Sequence, residues 1–164
     1  MKVLTLCLGN ICRSPMAEGA LRARIQDSPL RQWVEVDSAG TGGWHAGRPP
    51  DPRAIACARE HGVDISGLRA RQLQAEDFHS FDLILCADAD NLRNARDLAP
   101  AGLEERAVLM MEWAGPELAA QAPGAEVPDP YYGGPEDFER VWKLVDAAAQ
   151  AVVDRLLHRA PETA

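Results

Sequence analysis

The sequence predicts an α/β fold built on a mostly parallel sheet with helices on both faces. Short β-rich apolar runs at 2–7, 33–37, 82–86 and 107–111 alternate with runs of helical period at 15–27, 52–61, 89–98 and 135–158. Strands that alternate with helices return to one sheet through βαβ crossovers, and those crossovers cover both of its faces. At 164 residues and 46% hydrophobic, without repeats or low-complexity tracts, the chain is long enough for one core, so a single domain over 1–164 is expected.

Each element has its own signal. Lys2-Val3-Leu4-Thr5-Leu6 is a short β-rich run. Ser14 is a good N-cap and Pro15 a good first helical residue, followed by Met16, Ala17, Ala20 and Leu21 at helical spacing. Asp51-Pro52 opens the second helix in the same way, and Gly62 is its expected stop. Cys86 reads as a buried strand-end residue and Asp88 as the cap of the helix at 89–98. In the last helix Phe138, Val141, Trp142, Val145, Ala149, Val152, Val153 and Leu156 trace one face. Trp33, Trp113 and Trp142 read as core residues. The connections at 38–50 and 112–134 are long and rich in Gly and Pro, and long connections in a compact domain are often functional.

Composition excludes several classes of function. A net charge of −8 with no basic stripe argues against nucleic-acid binding. No segment approaches the roughly 20 apolar residues of a membrane span, and Met1-Lys2 leads into too short an apolar run for a signal peptide. A cytoplasmic location without membrane association is expected. Cys7, Cys12, Cys57 and Cys86 are scattered as reduced thiols would be. There is no Cys-x2-Cys pair, and His45, His61, His79 and His158 show no ligand spacing, so no metal is expected.

The chemistry concentrates in residues 7–15, Cys-Leu-Gly-Asn-Ile-Cys-Arg-Ser-Pro. Cys7 stands six positions before Arg13, on a loop between the first strand and the first helix. With four cysteines and 15 arginines in the chain, this spacing arises by chance about 0.4 times, so its context carries the reading. A strand–loop–helix junction points backbone N–H groups and a helix N-terminus at one spot, and open α/β sheets bind ligands at that edge. A thiol at the bottom of such an anion cradle, with a guanidinium on its rim, is placed to attack phosphorus. Gly9 is expected to supply a backbone conformation that most residues resist, and Asn10 to tie the loop through its amide.

Beyond that loop, Asp37-Ser-Ala-Gly-Thr41, Trp44-His45-x-Gly47, Asp51-Pro-Arg53, Ala70-Arg-Gln72 and Asp129-Pro-Tyr-Tyr-Gly133 follow in order. With these blocks, and with Cys7 through Glu18, the chain resembles the low-molecular-weight protein tyrosine phosphatases over nearly its full length. The resemblance implies a three-layer α/β/α fold around a four-stranded parallel sheet, the phosphotyrosine phosphatase I-like architecture. One departure is visible: the family's Met-Asp after the third strand is replaced by Cys86-Ala87-Asp88.

The resemblance also implies roles. Cys7 would be the nucleophile, favoured as thiolate by the helix N-terminus, the nearby cation and a hydrogen bond from Ser14. Arg13 would hold two phosphoryl oxygens with its planar fork. Leu8, Gly9, Asn10, Ile11, Cys12 and Ser14 would complete or support the phosphate loop. Asp129, between Pro128 and Pro130, would protonate the leaving phenolate and then activate water. Trp44, Tyr131 and Tyr132 would wall a cleft deep enough to prefer phosphotyrosine, and Leu8 would add an apolar contact. In that family the cysteine matching Cys12 protects the nucleophile as a reversible disulfide. The implied partners are phosphotyrosine proteins, met by a monomer or weak dimer, with no cofactor.

Two other readings share the loop. An arsenate reductase has this fold and cradle plus a cysteine relay, and Cys86 through Asn91 resembles the start of that relay. Its second cysteine is absent, since position 93 is arginine. A phosphotyrosine-binding module without turnover needs only Arg13 and the N–H groups.

Overall fold

In a computed structural model that describes residues 1–159, the chain runs β1 (Lys2–Cys7), α1 (Arg13–Gln26), β2 (Glu35–Gly40), α2 (Pro52–Glu60), α3 (Asp77–Ser80), β3 (Leu83–Cys86), α4 (Ala89–Leu98), β4 (Ala107–Leu109), α5 (Met110–Ala114), α6 (Pro116–Ala119) and α7 (Pro135–Arg159). The strands form one parallel sheet in the order β2-β1-β3-β4. Strand order reverses at β1, whose successors lie on opposite sides of it. The carboxyl end of β1 is therefore the crevice where a sheet of this kind accepts a ligand.

Both sheet faces are covered. Along β1, Val3 and Cys7 face one apolar cluster while Leu4 and Leu6 face another, the two-residue alternation of a strand buried on both sides. The larger cluster lies under α1, α2, α5 and α7, and the smaller one holds Phe78 of α3 and Ala95 of α4. The three-layer α/β/α expectation is met. The eight residues named for the last helix are all buried. Gly19 lets α1 pass close to the segment after α2: a Cβ there would lie 2.5 Å from Ile65 Cγ2 and 3.0 Å from Val63 Cγ1.

Several boundaries differ from the sequence expectation. α1 starts at Arg13, two residues early, and its N-cap position is Cys12 without a side-chain cap. Ser14 is thus not the cap; its hydroxyl is engaged inside the loop that precedes the helix. β2 starts later and runs to Gly40, because Trp33 still closes a tight turn by donating its N–H to the Leu30 carbonyl at 2.8 Å. Its end, Ser38-Ala39-Gly40, has no apolar alternation yet pairs with Thr5, Leu6 and Cys7. β4 stops at Leu109, since Met110 and Met111 turn into α5 and bury their side chains in the core. The 112–134 connection carries α6 and a short turn at Pro123–Ala125.

The caps at Asp51 and Asp88 form as expected. Asp51 accepts from the Arg53 N–H, and Asp88 makes a reciprocal capping box with Asn91. Gly62 ends α2 with φ of +80°. Of the three tryptophans read as core, Trp142 is buried, Trp113 is half-buried, and Trp33 is 66% exposed at the amino-terminal edge of the sheet.

Candidate active site

The loop from Cys7 to Arg13 sits at the carboxyl end of β1 and is tied to β2 behind it. Thr41 N–H donates to the Cys7 carbonyl and Gly42 N–H to the Leu8 carbonyl, both at 2.9 Å. The approach requires Gly40: a Cβ there would lie 2.7 Å from the Leu8 carbonyl oxygen and 3.1 Å from the Asn10 nitrogen. Asn10, not Gly9, takes the left-handed conformation, with φ of +58°. Its buried amide stabilises that turn, donating to Ser14 Oγ at 2.8 Å and Ser38 Oγ at 3.0 Å and accepting from the Arg71 N–H at 2.9 Å. At Gly9 a Cβ would lie 3.0 Å from His45 Cδ2, so that ring would have to give by a few tenths of an ångström.

Cys7 is 3% exposed, at the floor of the cradle, with its sulfur 3.0 Å from Ser14 Oγ. Ser14 is held from the other side by Asn10, so its proton is directed to the sulfur or to the Ala39 carbonyl at 3.3 Å. Ser38, which receives the second Asn10 proton, donates to Glu18 Oε1 at 2.7 Å. A chain of polar contacts thus runs from buried Glu18 through Ser38, Asn10 and Ser14 to the Cys7 sulfur.

Arg13 is buried, and its Nη1 donates to Asp88 Oδ2 at 2.7 Å and to the Val127 carbonyl at 3.1 Å. Among the described residues, Nε and Nη2 donate to no protein group, so that edge of the guanidinium remains available. Burial opposes the charge, but the Cys7 sulfur and then the Asp88 carboxylate outweigh it and hold the Arg13 pKa above its ordinary value. Asp88 thereby caps α4 and fixes Arg13 with the same carboxylate.

A cleft of about 240 Å³ opens above the cradle, lined by Cys7, Arg13 and Asp129, with Leu8, Trp44, His45, Tyr131 and Tyr132 among its walls. Ile11 and Cys12 complete the lining on the loop side. Asp129 is exposed, and its Oδ1 accepts the Tyr131 N–H at 3.0 Å, which fixes the carboxylate at the turn. Trp44 is 71% and Tyr132 95% exposed, so these aromatics are rim groups and not a satellite core. Tyr131 lies edge-on to Tyr132 and beside the Arg53 guanidinium, 5.5 Å from its ring centre.

The surroundings of Cys12, Cys57 and Cys86 all disfavour the thiolate. Burial first, and then the charge of Asp51, pushes the Cys12 thiol well above its ordinary range. Burial pushes Cys86 up to about 12, and burial with Glu139 pushes Cys57 up to about 11. Cys86 is fully buried, and Arg93 pairs with Asp90 at 2.6 Å, so residues 86–93 offer no redox relay.

Sequence reasoning brought Cys7, Arg13, Ser14, Asp129 and the rim aromatics to one place, and the structure places them together. It missed Asp88 as the partner of Arg13, Gly40 as the back of the loop, Ser38 and Glu18 behind Asn10, and His45 over Gly9. These contacts join residues far apart in the chain, where spacing carries no signal.

Comparison with known proteins agrees with this geometry. Residues 2–161 match the family described as low molecular weight phosphotyrosine protein phosphatase. A low molecular weight protein-tyrosine-phosphatase of Streptomyces coelicolor is 43% identical over 152 residues, covering 93% of this chain and 91% of that protein. The crystal structure of a protein tyrosine phosphatase from Entamoeba histolytica, with Hepes in its active site, superposes with a TM-score of 0.89 at 33% identity, covering 98% of this chain and 99% of that one. Vibrio vulnificus Wzb in complex with benzylphosphonate gives a TM-score of 0.80 at 30% identity, covering 94% and 97%. The chain belongs to the low molecular weight phosphotyrosine protein phosphatase family.

Proposed function

We propose that the protein hydrolyses phosphotyrosine and related aryl phosphate monoesters through a cysteinyl-phosphate intermediate. The observation that carries this reading is the convergence of the Cys7 sulfur, the free edge of Arg13 and the Asp129 carboxylate on one cleft. The phosphoryl group enters the cradle and the ring rests between Trp44, Tyr131 and Tyr132. The Cys7 sulfur, stabilised by the Ser14 proton and the start of α1, attacks phosphorus as the P–O bond to the aryl group breaks. Asp129 gives its proton to the departing phenolate oxygen. It then takes a proton from water, which attacks the phosphocysteine. The S–P bond breaks, inorganic phosphate leaves, and the sulfur anion and protonated Asp129 are restored.

Arg13 stabilises the charge that spreads over the phosphoryl oxygens in both steps. Its contribution depends on being held ready before the substrate arrives, and Asp88 with Val127 holds it. That the related Vibrio vulnificus Wzb forms a complex with benzylphosphonate, a phenyl ring joined to a tetrahedral oxyanion, supports a ligand of this chemistry.

The same reading assigns Cys12 a protective role. Peroxide oxidises the Cys7 sulfur to a sulfenic acid, the Cys12 thiol condenses with it and releases water, and a dithiol reduces the resulting disulfide. Four free thiols support action in a reducing compartment such as the cytosol.

The test is a pair of variants. Cys7→Ser is expected to release no phosphate from p-nitrophenyl phosphate while still binding a non-hydrolysable aryl phosphonate. Hydrolysis retained by that variant would overturn the mechanism. Cys12→Ser is expected to lose most of the dithiol-recoverable activity after peroxide, and unchanged recovery would remove the protective role.

A further inference from the structure

Outside the cleft, α2 and α7 bring three different donor groups together. Cys57 in the last turns of α2, His61 just beyond its end and Glu139 near the start of α7 place one ligand-type atom each within 4.8 Å of one another. His61 Nε2 lies 2.8 and 2.9 Å from the two Glu139 oxygens, and Cys57 Sγ lies 3.6 Å from Glu139 Oε2. The His61 ring is stacked on Trp142 at 5.2 Å and 15°, so its orientation is set by packing. Cys57 is buried, whereas His61 and Glu139 reach solvent, which leaves the cluster open on one side.

We propose that Cys57, His61 and Glu139 form a binding site for a borderline divalent transition-metal ion of the Zn²⁺ class. A thiolate, an imidazole and a carboxylate are the donor types such ions take, whereas Mg²⁺ and Ca²⁺ take oxygen ligands. Three protein ligands and an open side suit tetrahedral coordination completed by water. The charges balance. The ion replaces the Cys57 thiol proton, which leaves to solvent. His61 binds as neutral imidazole through Nε2 with its proton on Nδ1, and Glu139 is already ionised. Two negative ligands then neutralise the dication, which suits a half-buried position. The hydrogen bonds now joining Cys57 and His61 to Glu139 give way to bonds to the ion, so the carboxylate is not left unpaired.

Cys57 and His61 are one helical turn apart and the third ligand comes from a distant helix, a pattern unlike the short-loop cysteine pairs of a zinc ribbon. The site would link α2, whose start carries Asp51 and Arg53 beside the cleft, to α7. Cys57 stands six residues past Asp51, roughly 9 Å along the helix.

The test uses Co²⁺ as a spectroscopic stand-in for Zn²⁺, with Zn²⁺ affinity followed by calorimetry. One equivalent of Co²⁺ is expected to give a sulfur-to-cobalt charge-transfer band and the visible bands of a tetrahedral centre. Cys57→Ser is expected to lose the sulfur band and to weaken Zn²⁺ binding by at least roughly 10-fold. His61→Ala and Glu139→Gln, at partly exposed positions, are expected to weaken binding similarly, and circular dichroism confirms that each variant is folded. A Cys7→Ser/Cys12→Ser double variant is expected to keep both signals. The proposal is overturned by the absence of a sulfur band, by its survival in Cys57→Ser, or by its loss in the double variant, which would place the ion in the cradle.

Discussion

Arg13 is tied to the protein through one nitrogen, with Asp88 at 2.7 Å and the Val127 carbonyl at 3.1 Å. Replacing Asp88 with Asn separates its two duties. Asparagine caps a helix as well as aspartate does, so α4 should survive, while loss of the charged partner of buried Arg13 is expected to cost about 1–3 kcal/mol of stability. The charge that fixes the guanidinium is lost, and a misplacement of about 1 Å near the reacting atoms costs on the order of 100-fold in rate. Asp88→Asn is therefore expected to lower kcat/KM for an aryl phosphate about 100-fold in protein that circular dichroism shows to be folded at the assay temperature. A normal rate in this variant would remove Asp88 from the positioning of Arg13. Asp88 was legible in the sequence as a cap and not as a partner of Arg13, because 75 residues separate the two. The reason for Gly9 was misread for a related cause: the sequence shows a glycine but not the His45 ring that occupies its Cβ direction.

At the scale of elements, the cradle is shaped as much by β2 as by its own sequence. Gly40 leaves no room for a side chain between β2 and the loop, because the obstacle is the Leu8 carbonyl and the Asn10 nitrogen, backbone that cannot turn aside. Gly40→Ala is expected to cut kcat/KM by roughly 100-fold through displacement of the loop. Overpacking adds about 1–3 kcal/mol of destabilisation. Steady-state kinetics together with urea denaturation would check both figures. Element identity was legible because period and capping residues agree in α2, α4 and α7. The ends of β2 and β4 were not. Ser38-Ala39-Gly40 carries no hydrophobic alternation, and Met110-Met111 is equally compatible with a strand end and with the turn into α5.

For the whole molecule, the polar chain from Glu18 to Cys7 joins the interior of α1 to the sulfur at the floor of the cradle. Burial raises the Glu18 pKa above 4.5, against the opposing effects of Ser38 and Arg22. The Arg22 Nε lies 2.6 Å from Glu18 Oε2 but is not aligned for a hydrogen bond, so this contact is mainly one of charge. An acid with a raised folded-state pKa holds its proton more tightly in the native protein. Its favourable contribution is fully present below pH 4.5 and is lost as pH rises through the folded-state value. Wild-type protein is therefore expected to lose stability relative to Glu18→Gln across that interval, read from paired denaturation midpoints at several pH values. A constant difference between the two proteins would show that Glu18 titrates as it does in the unfolded chain.

In the proposed mechanism the phosphoryl group passes through the sulfur of residue 7. The most direct measurement mixes the Asp129→Ala variant with p-nitrophenyl phosphate, whose leaving group needs little protonation, and quenches the reaction within the first turnover. Peptide mass spectrometry is then expected to find phosphate on Cys7, in an amount matching the burst of p-nitrophenolate. Turnover with phosphate on no peptide, or on a residue other than Cys7, would contradict the account.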